Sequence, residues 1–366
     1  MSANTARSVP AEPINLPRGS ERRGAQVRTN WRLPVLLLTL FLPAAYGQTK
    51  RRDNAAARYQ LVELPLRPLA ISNSEWVAGA TYDQHAATWN AEAGLYRIPL
   101  PSEFSLSECA SINSRGGAVG TASTADSSRR VAFALRQSKV ALLPGEQSQA
   151  NGINEAGTIV GQAILPGGKT AGPVLWKNGS PIDLNICCAG SARSINGQSL
   201  IVGDTYDKEG RYHAFSWDAV RGARLLAVPG EEYSSALALN RHGEIVVKAT
   251  PGGLFLYSGG KLERLDIPKG TPRALNQDGI VVGSLGPSPE AQRAFVWDKA
   301  HGTRDLNTLI PANSGWILEV ASSVNDRGEI VGWGDHGGAE NAGFLLRPSG
   351  NRKRTRPARS PNRSVD

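Results

Sequence analysis

The stretch Ser194–Trp217, SINGQSLIVGDTYDKEGRYHAFSW, decides how the rest of the chain is read. It opens with a short strand at Ser194-Ile195 and a turn begun by Asn196. A buried strand at Leu200–Gly203, a polar loop and a second strand at His213–Trp217 follow. An asparagine caps its own turn through its side chain, and most copies of the unit add a glycine three residues later that supplies φ > 0. Apolar runs elsewhere are short and β-branched, such as Ile245-Val246-Val247 and Ile280-Val281-Val282, and turn residues bound them. That is the pattern of strands. With 40 Gly and 23 Pro, the chain is punctuated too often for long helices.

The unit recurs. An Ile/Leu/Val–Asn step aligns seven copies, at Ile71-Ser72, Ile112-Asn113, Ile153-Asn154, Ile195-Asn196, Leu239-Asn240, Leu275-Asn276 and Val324-Asn325, spaced by 41, 41, 42, 44, 36 and 49 residues. Seven residues after the step stands a glycine in six copies, and Val247 in the fifth. The second strand carries a large aromatic in every unit, and in the fourth to sixth two of them stand two apart, such as Phe215 with Trp217 and Phe295 with Trp297. Period-two spacing puts both on one face, as packing one sheet on the next requires. A fourth, alternating strand closes six units: Leu95–Pro99, Lys139–Leu143, Pro181–Leu184, Ala223–Ala227, Lys261–Ile267 and Thr303–Leu309. The seventh unit lacks one at its end, but Tyr59–Leu64 supplies a spare strand at the start. The expected fold is therefore all-β, a seven-bladed β-propeller of about 42-residue repeats whose N-terminal strand closes the ring. The alternative, an open β-repeat array, would want polar end caps that neither end offers.

Three regions follow: 1–47, 48–350 and 351–366. The run Leu33–Ala45, LPVLLLTLFLPAA, is preceded by Arg28 and Arg32 and followed by small residues through Gly47. At about 1.5 Å per residue it is too short to span a bilayer core as a helix. It reads as a secretory signal peptide ending near Gly47, with a short membrane anchor as the alternative. The tail 351–366 reads as a disordered basic segment. The net charge of +9 resides in these ends: twelve of the 41 bases and three of the 32 acids fall there, leaving 29 of each in 48–350. The high pI therefore gives the folded body no basic face, and nucleic acid is not an expected partner.

These motifs resemble the HAF-repeat family of extracellular bacterial repeat proteins, named for a His-Ala-Phe triplet. Here the triplet is intact at His213-Ala214-Phe215. The resemblance extends to Ile153–Gly161 and to a terminal unit, Asp305–Pro311 with Ser314–Trp316, and spans about residues 59–347. It implies secretion and a propeller-like fold, and brings no established catalytic residues. The departures are Val247 for Gly, Ser72 for Asn, Ala87 for Phe, and a basic tail where the family has a sorting helix.

Chemistry is sparse. The five histidines show no metal-ligand spacing, and His85 and His213 share one repeat position, which marks them as structural. Asp204, Asp207 and Glu209 before Gly210 only faintly resemble a calcium loop, since the one-three-five spacing is broken. No metal or cofactor is expected. Cys109, Cys187 and Cys188 give no disulfide framework; they read as partly buried thiols, with a vicinal Cys187–Cys188 bond as the rare alternative. Function should lie where the copies differ, in the rim loops. The candidates are Asp83, Asp204, Asp207, Asp335 and His336, the last two as a possible rim pair. The expectation is a secreted or cell-surface monomeric scaffold that binds an extracellular protein or glycan. The alternative is a carbohydrate-active hydrolase or lyase at the channel mouth, which needs two facing carboxylates.

Overall fold

A computed structural model describes residues 58–350, apart from 187, 287, 289 and 290. The body is a seven-bladed β-propeller. Six blades are consecutive four-stranded meanders, beginning with β2 (Arg67–Ile71), β3 (Val77–Ala80), β4 (Ala86–Asn90) and β5 (Gly94–Arg97). Blades two to six follow as β6–β9, β10–β13, β14–β17, β18–β21 and β22–β25, from Leu106 to Asp305. The seventh joins β26 (Trp316–Val324), β27 (Ile330–His336) and β28 (Ala339–Pro348) to β1 (Tyr59–Leu64). The spare strand thus closes the ring as expected, antiparallel to β28 with Tyr59 opposite Pro348 and Leu64 opposite Gly343. Closure leaves no blade without its fourth strand.

The first strand of every blade lines the centre and touches the first strand of the next. Each of these inner strands bulges at one equivalent place, as between Ala150 and Gly152 and between Ala321 and Ser323, and those two strands have a second irregularity as well. The bulge explains the periodic glycine. At Gly161 and Gly332 an added Cβ would overlap the carbonyl oxygens of Gln149 and Val320, pushed inward by the bulge. The glycine also makes room for the aromatic ring across from it. Phe133, Phe215, Phe295 and Phe344 face Gly120, Gly203, Gly283 and Gly332 and are fully buried. In the fifth blade Phe255 faces Val247 and is only half-buried. Core packing is thus the role of the repeated aromatics: Trp176 and Trp297 are buried as well, and Trp89 and Trp217 pack half-buried against cluster members.

The repeated asparagine does two jobs. Its Oδ1 accepts backbone N–H groups of its own five-residue turn, as from Thr158 to Asn154 at 2.9 Å. Its Nδ2 donates to the backbone carbonyl of the equivalent residue one blade on. These links run Asn113 to Asn154, Asn154 to Asn196, Asn196 to Asn240, and Asn240 to Asn276, each at 3.1 Å. They continue from Asn276 to Asn325 and from Asn325 to Ser72, at 3.0 Å. Only a short side chain with both an acceptor and a donor can do this, which is why the turn wants Asn. The chain of links breaks at Ser72, whose hydroxyl accepts from its own turn (Trp76 N–H, 3.1 Å) and has no amide to pass on. Ser74 takes over the contact, donating to the Ser114 carbonyl at 2.7 Å.

Candidate functional site

A four-stranded meander places its first and third turns at one end and its second turn and outgoing connection at the other. The two ends of the ring differ sharply. All seven turns between first and second strands have five residues, 72–76 through 325–329. The loops between second and third strands range from two residues (251–252 and 337–338) to seven (165–171 and 286–292). All five candidate residues lie toward this variable end, but the structure does not bring them together.

Asp83 sits in the first-blade loop and is tied locally. Thr81 donates to it at 2.5 Å and Arg97 lies 3.0 Å away, and these, the Thr81 hydrogen bond foremost, hold its carboxyl below the usual aspartate value. Asp204 is not a loop acid. β15 (Ile201–Tyr206) continues past it, and the side chain is buried against Arg193, with Ser235 donating at 3.0 Å. Asp207 begins the next turn, bonded to His213 Nε2 at 2.9 Å and Arg211 Nε at 2.8 Å; the His213 contact is the main reason its carboxyl lies far below the ordinary range. Asp335 and His336 do not pair. They are successive residues of β27, so their side chains point to opposite faces. Asp335 accepts the Gly338 N–H, whereas His336 stacks on Trp316 and meets Glu63 of the closing strand at 3.0 Å.

Among the cysteines Cys188 departs from the expected thiol and Cys109 does not. Cys188 is disulfide-bonded, while Cys109 is free and fully buried, its thiol pKa pushed up by desolvation. Cys187 lies outside the described residues. Among the described residues no cluster of three or more His, Cys, Asp or Glu side chains is arranged to hold a metal ion.

A cleft of about 490 Å³ opens on the variable end over the first and second blades, bordered by the third and seventh. Its wall mixes apolar surface with polar groups: Gln84 and Tyr82 of the first-blade loop, Gln149, Asn341 and two arginines, Arg67 and Arg130. Glu108 is its one lining carboxylate, 3.6 Å from Arg67. The lining therefore does not offer the facing carboxylate pair that glycoside hydrolysis uses. Arg130 is half-buried, and its side chain makes no hydrogen bond or ion pair among the described residues. Arg67 reaches from the cleft to the channel mouth, where its guanidinium lies 5.4 Å from the centre of the Trp333 ring. Arg273, from the sixth blade, lies over the same ring at 5.4 Å. Burial and the neighbouring charge of Arg67 hold the Arg273 pKa below the usual arginine value.

Two further features were invisible in the sequence. Tyr206, Tyr212 and Tyr233 come together where the fourth blade meets the fifth, with ring centres 6.2 and 5.1 Å apart and Tyr206 exposed. The loop singled out for its acids thus presents tyrosines. At the opposite end, Glu75 and Glu329 meet across the junction of the first and seventh blades. Arg327 reaches Glu75 at 3.1 Å and Glu329 at 2.5 Å, and Arg347 reaches Glu75 at 3.1 Å. Burial chiefly keeps Glu329 above the ordinary glutamate value, and its contact with Glu75 adds to the rise. Burial also pulls Glu75 up, but the hydrogen bond with Glu329 and the two arginines outweigh it and hold Glu75 low.

The likeness to known proteins is one of shape. No family model matches the chain, and no curated protein matches its sequence. Among solved structures it is similar to the β-propeller domain of the Trilobed protease from Pyrococcus furiosus, with TM-score 0.51 and 11% identity over 79% of this chain and 93% of that one. It is also similar to the WD40 β-propeller domain of Doa1, with TM-score 0.50 and 13% identity over 79% and 96%. TolB from Acinetobacter baumannii aligns at TM-score 0.44 and 13% identity over 74% and 78%. The Pyrococcus domain is described as having an open velcro topology; here β1 closes the velcro on β28. The class is settled by the fold: a closed seven-bladed β-propeller.

Proposed function

We propose that this propeller is an exported binding scaffold, of the HAF-repeat kind, that holds an extracellular glycan or protein in the cleft over its first two blades. The observation that carries this reading is the cleft itself. It is concave, of ligand-binding size, and carries amides, hydroxyls and guanidiniums from the first-blade loop 81–85 and from strand ends of four blades that differ between repeats. The opposite end repeats one turn seven times and spends its polar groups on holding blades together. Export rests on the Leu33–Gly47 segment, which lies outside the described residues; among the described residues no helix is long and apolar enough to cross a membrane.

The test is an array of glycans and peptides probed with the whole chain and with Arg130→Glu. A ligand class retained by the parent and lost by the variant, with thermal unfolding unchanged, supports the reading. Equal retention by both proteins rejects it. Export is checked separately, by deleting 33–47 and following the protein in the medium and envelope fractions: a deletion variant that still leaves the cytoplasm contradicts it.

A further inference from the structure

The inner strands contain an internal comparison. Arg193 of the fourth blade and Arg273 of the sixth occupy the same place, the extra residue of the inner-strand bulge, in Ala192-Arg193-Ser194 and Pro272-Arg273-Ala274. The residue after the repeated glycine lies beside that bulge. In the fourth blade it is Asp204, which neutralises Arg193 and is further held by Ser235. In the sixth it is Ser284, buried and uncharged. Arg273 accordingly makes no ion pair or hydrogen bond among the described residues, and its one defined partner is the face of Trp333. A second cation, Arg67, lies against that same indole, opposed by Glu108 at 3.6 Å.

Two guanidiniums about one ring repel each other. The indole offsets part of that by cation–π attraction. The fourth blade shows the complete solution, a carboxylate, and the sixth lacks it. Guanidinium forks match carboxylate and phosphate oxygens bidentately. Arg273, on β22 (Gly270–Leu275), and Arg67, on β2, share the Trp333 ring, whereas Arg130, on β8 (Arg130–Arg136), stands apart in the cleft. That spacing suits a ligand with single charges distributed along its length better than one compact phosphate. The cleft continuing from Arg67 carries amides and hydroxyls, which suits a polyhydroxylated ligand better than apolar peptide side chains.

We propose that the channel mouth is a carboxylate site, in which Arg273 and Arg67 about Trp333, continued by Arg130 in the cleft, bind the carboxylates of an acidic, uronate-type oligosaccharide. The proposal rests on the cleft being the binding site and adds the charge class of its ligand. It also assigns Ser284 a role: by not being aspartate, it leaves Arg273 free for a ligand.

The test is calorimetric titration of the whole chain with oligogalacturonate, its fully methyl-esterified form and a sugar phosphate. Oligogalacturonate should bind at least tenfold more tightly than the ester, and less tightly as salt is raised. Arg273→Gln should weaken it about tenfold. Ser284→Asp keeps Arg273 but supplies the internal partner seen at Asp204, and should weaken binding comparably without lowering the unfolding temperature. The proposal is overturned by equal binding of acid and ester, by tighter binding of the sugar phosphate, by no binding of any probe, or by both variants behaving as the parent. If a neutral glycan or a peptide binds and only Arg130→Glu abolishes it, the cleft stands and the carboxylate assignment falls.

Discussion

The two ends of the ring are built from the same seven repeats and differ in almost every respect. At one end a five-residue turn recurs without change of length, and its asparagines brace six of the seven blade junctions. At the other, the loops vary from two to seven residues, and one of them, 81–85, joins unrelated strand residues of four blades around a cleft. Likeness among the copies marks what holds the propeller together, and difference marks what it can bind. The division follows from symmetry: a ring needs the same junction at each blade boundary, whereas an asymmetric ligand needs a site that no other blade repeats.

The most damaging way to break the comparison is to lengthen a braced turn. One glycine inserted between Asn154 and Thr158 should disrupt the Asn154–Thr158 bonds and the contact to Asn196 together, and abolish cooperative unfolding in a thermal melt. The same insertion into 165–171 should shift stability by about 1 kcal/mol or less, because loop length is weakly felt there. Less drastic is Asn154→Ala, which removes the amide, leaves the half-buried Thr158 N–H without its acceptor and strips the Asn196 carbonyl of its inter-blade donor. Denaturant unfolding should report a loss of about 2–3 kcal/mol, with ligand binding unchanged in the protein that folds.

The first–seventh blade junction sharpens the comparison, because there the uniform end departs from its own rule. Ser72 replaces Asn, and Glu75, at φ 61°, stands where five of the other six turns have glycine and the fourth blade has Ser199. The Glu75–Glu329 pair with Arg327 and Arg347 holds this seam instead. Glu329 carries a raised pKa in the fold, so its contribution is fully present below the unfolded value near 4.5 and is lost as pH rises through the raised one. A melting-temperature profile should decline over that window, and Glu329→Gln, which mimics the protonated acid, should flatten the decline. An unchanged slope would show that the seam does not titrate this way. The smallest effect is a repair: Ser72→Asn supplies the missing seventh link, toward Asn113, and should add about 0.5–1 kcal/mol in denaturant unfolding.

Much of the repeated end could be read from the sequence, because each of its features is local and recurs in register. The Asn step, the glycine seven residues on and the spare strand Tyr59–Leu64 lead to seven blades and ring closure. The reason for the glycine was not legible, since the bulge that pushes the Gln149 carbonyl against Gly161 is a property of the paired strand. Nor was the cleft. Asn341 and Arg67 line it together only because β1 folds back onto β28, and Arg67, Arg130 and Gln149 come from three different blades. The acids singled out as candidates were selected for standing outside the repeat, but where a strand ends is not repeated either. β15 continues to Tyr206 and carries Asp204 inside it, and the alternation along β27 sends Asp335 and His336 to opposite faces.

The division between the two ends is tested most directly by hydrogen exchange with and without saturating oligogalacturonate. Protection confined to the variable end, at 80–85, 106–109 and 129–131 and around Arg273, is the result expected from a cleft and channel-mouth site. Ligand-induced protection at the asparagine turns, with none at those segments, would contradict it, and would mean that the repeated end does the binding.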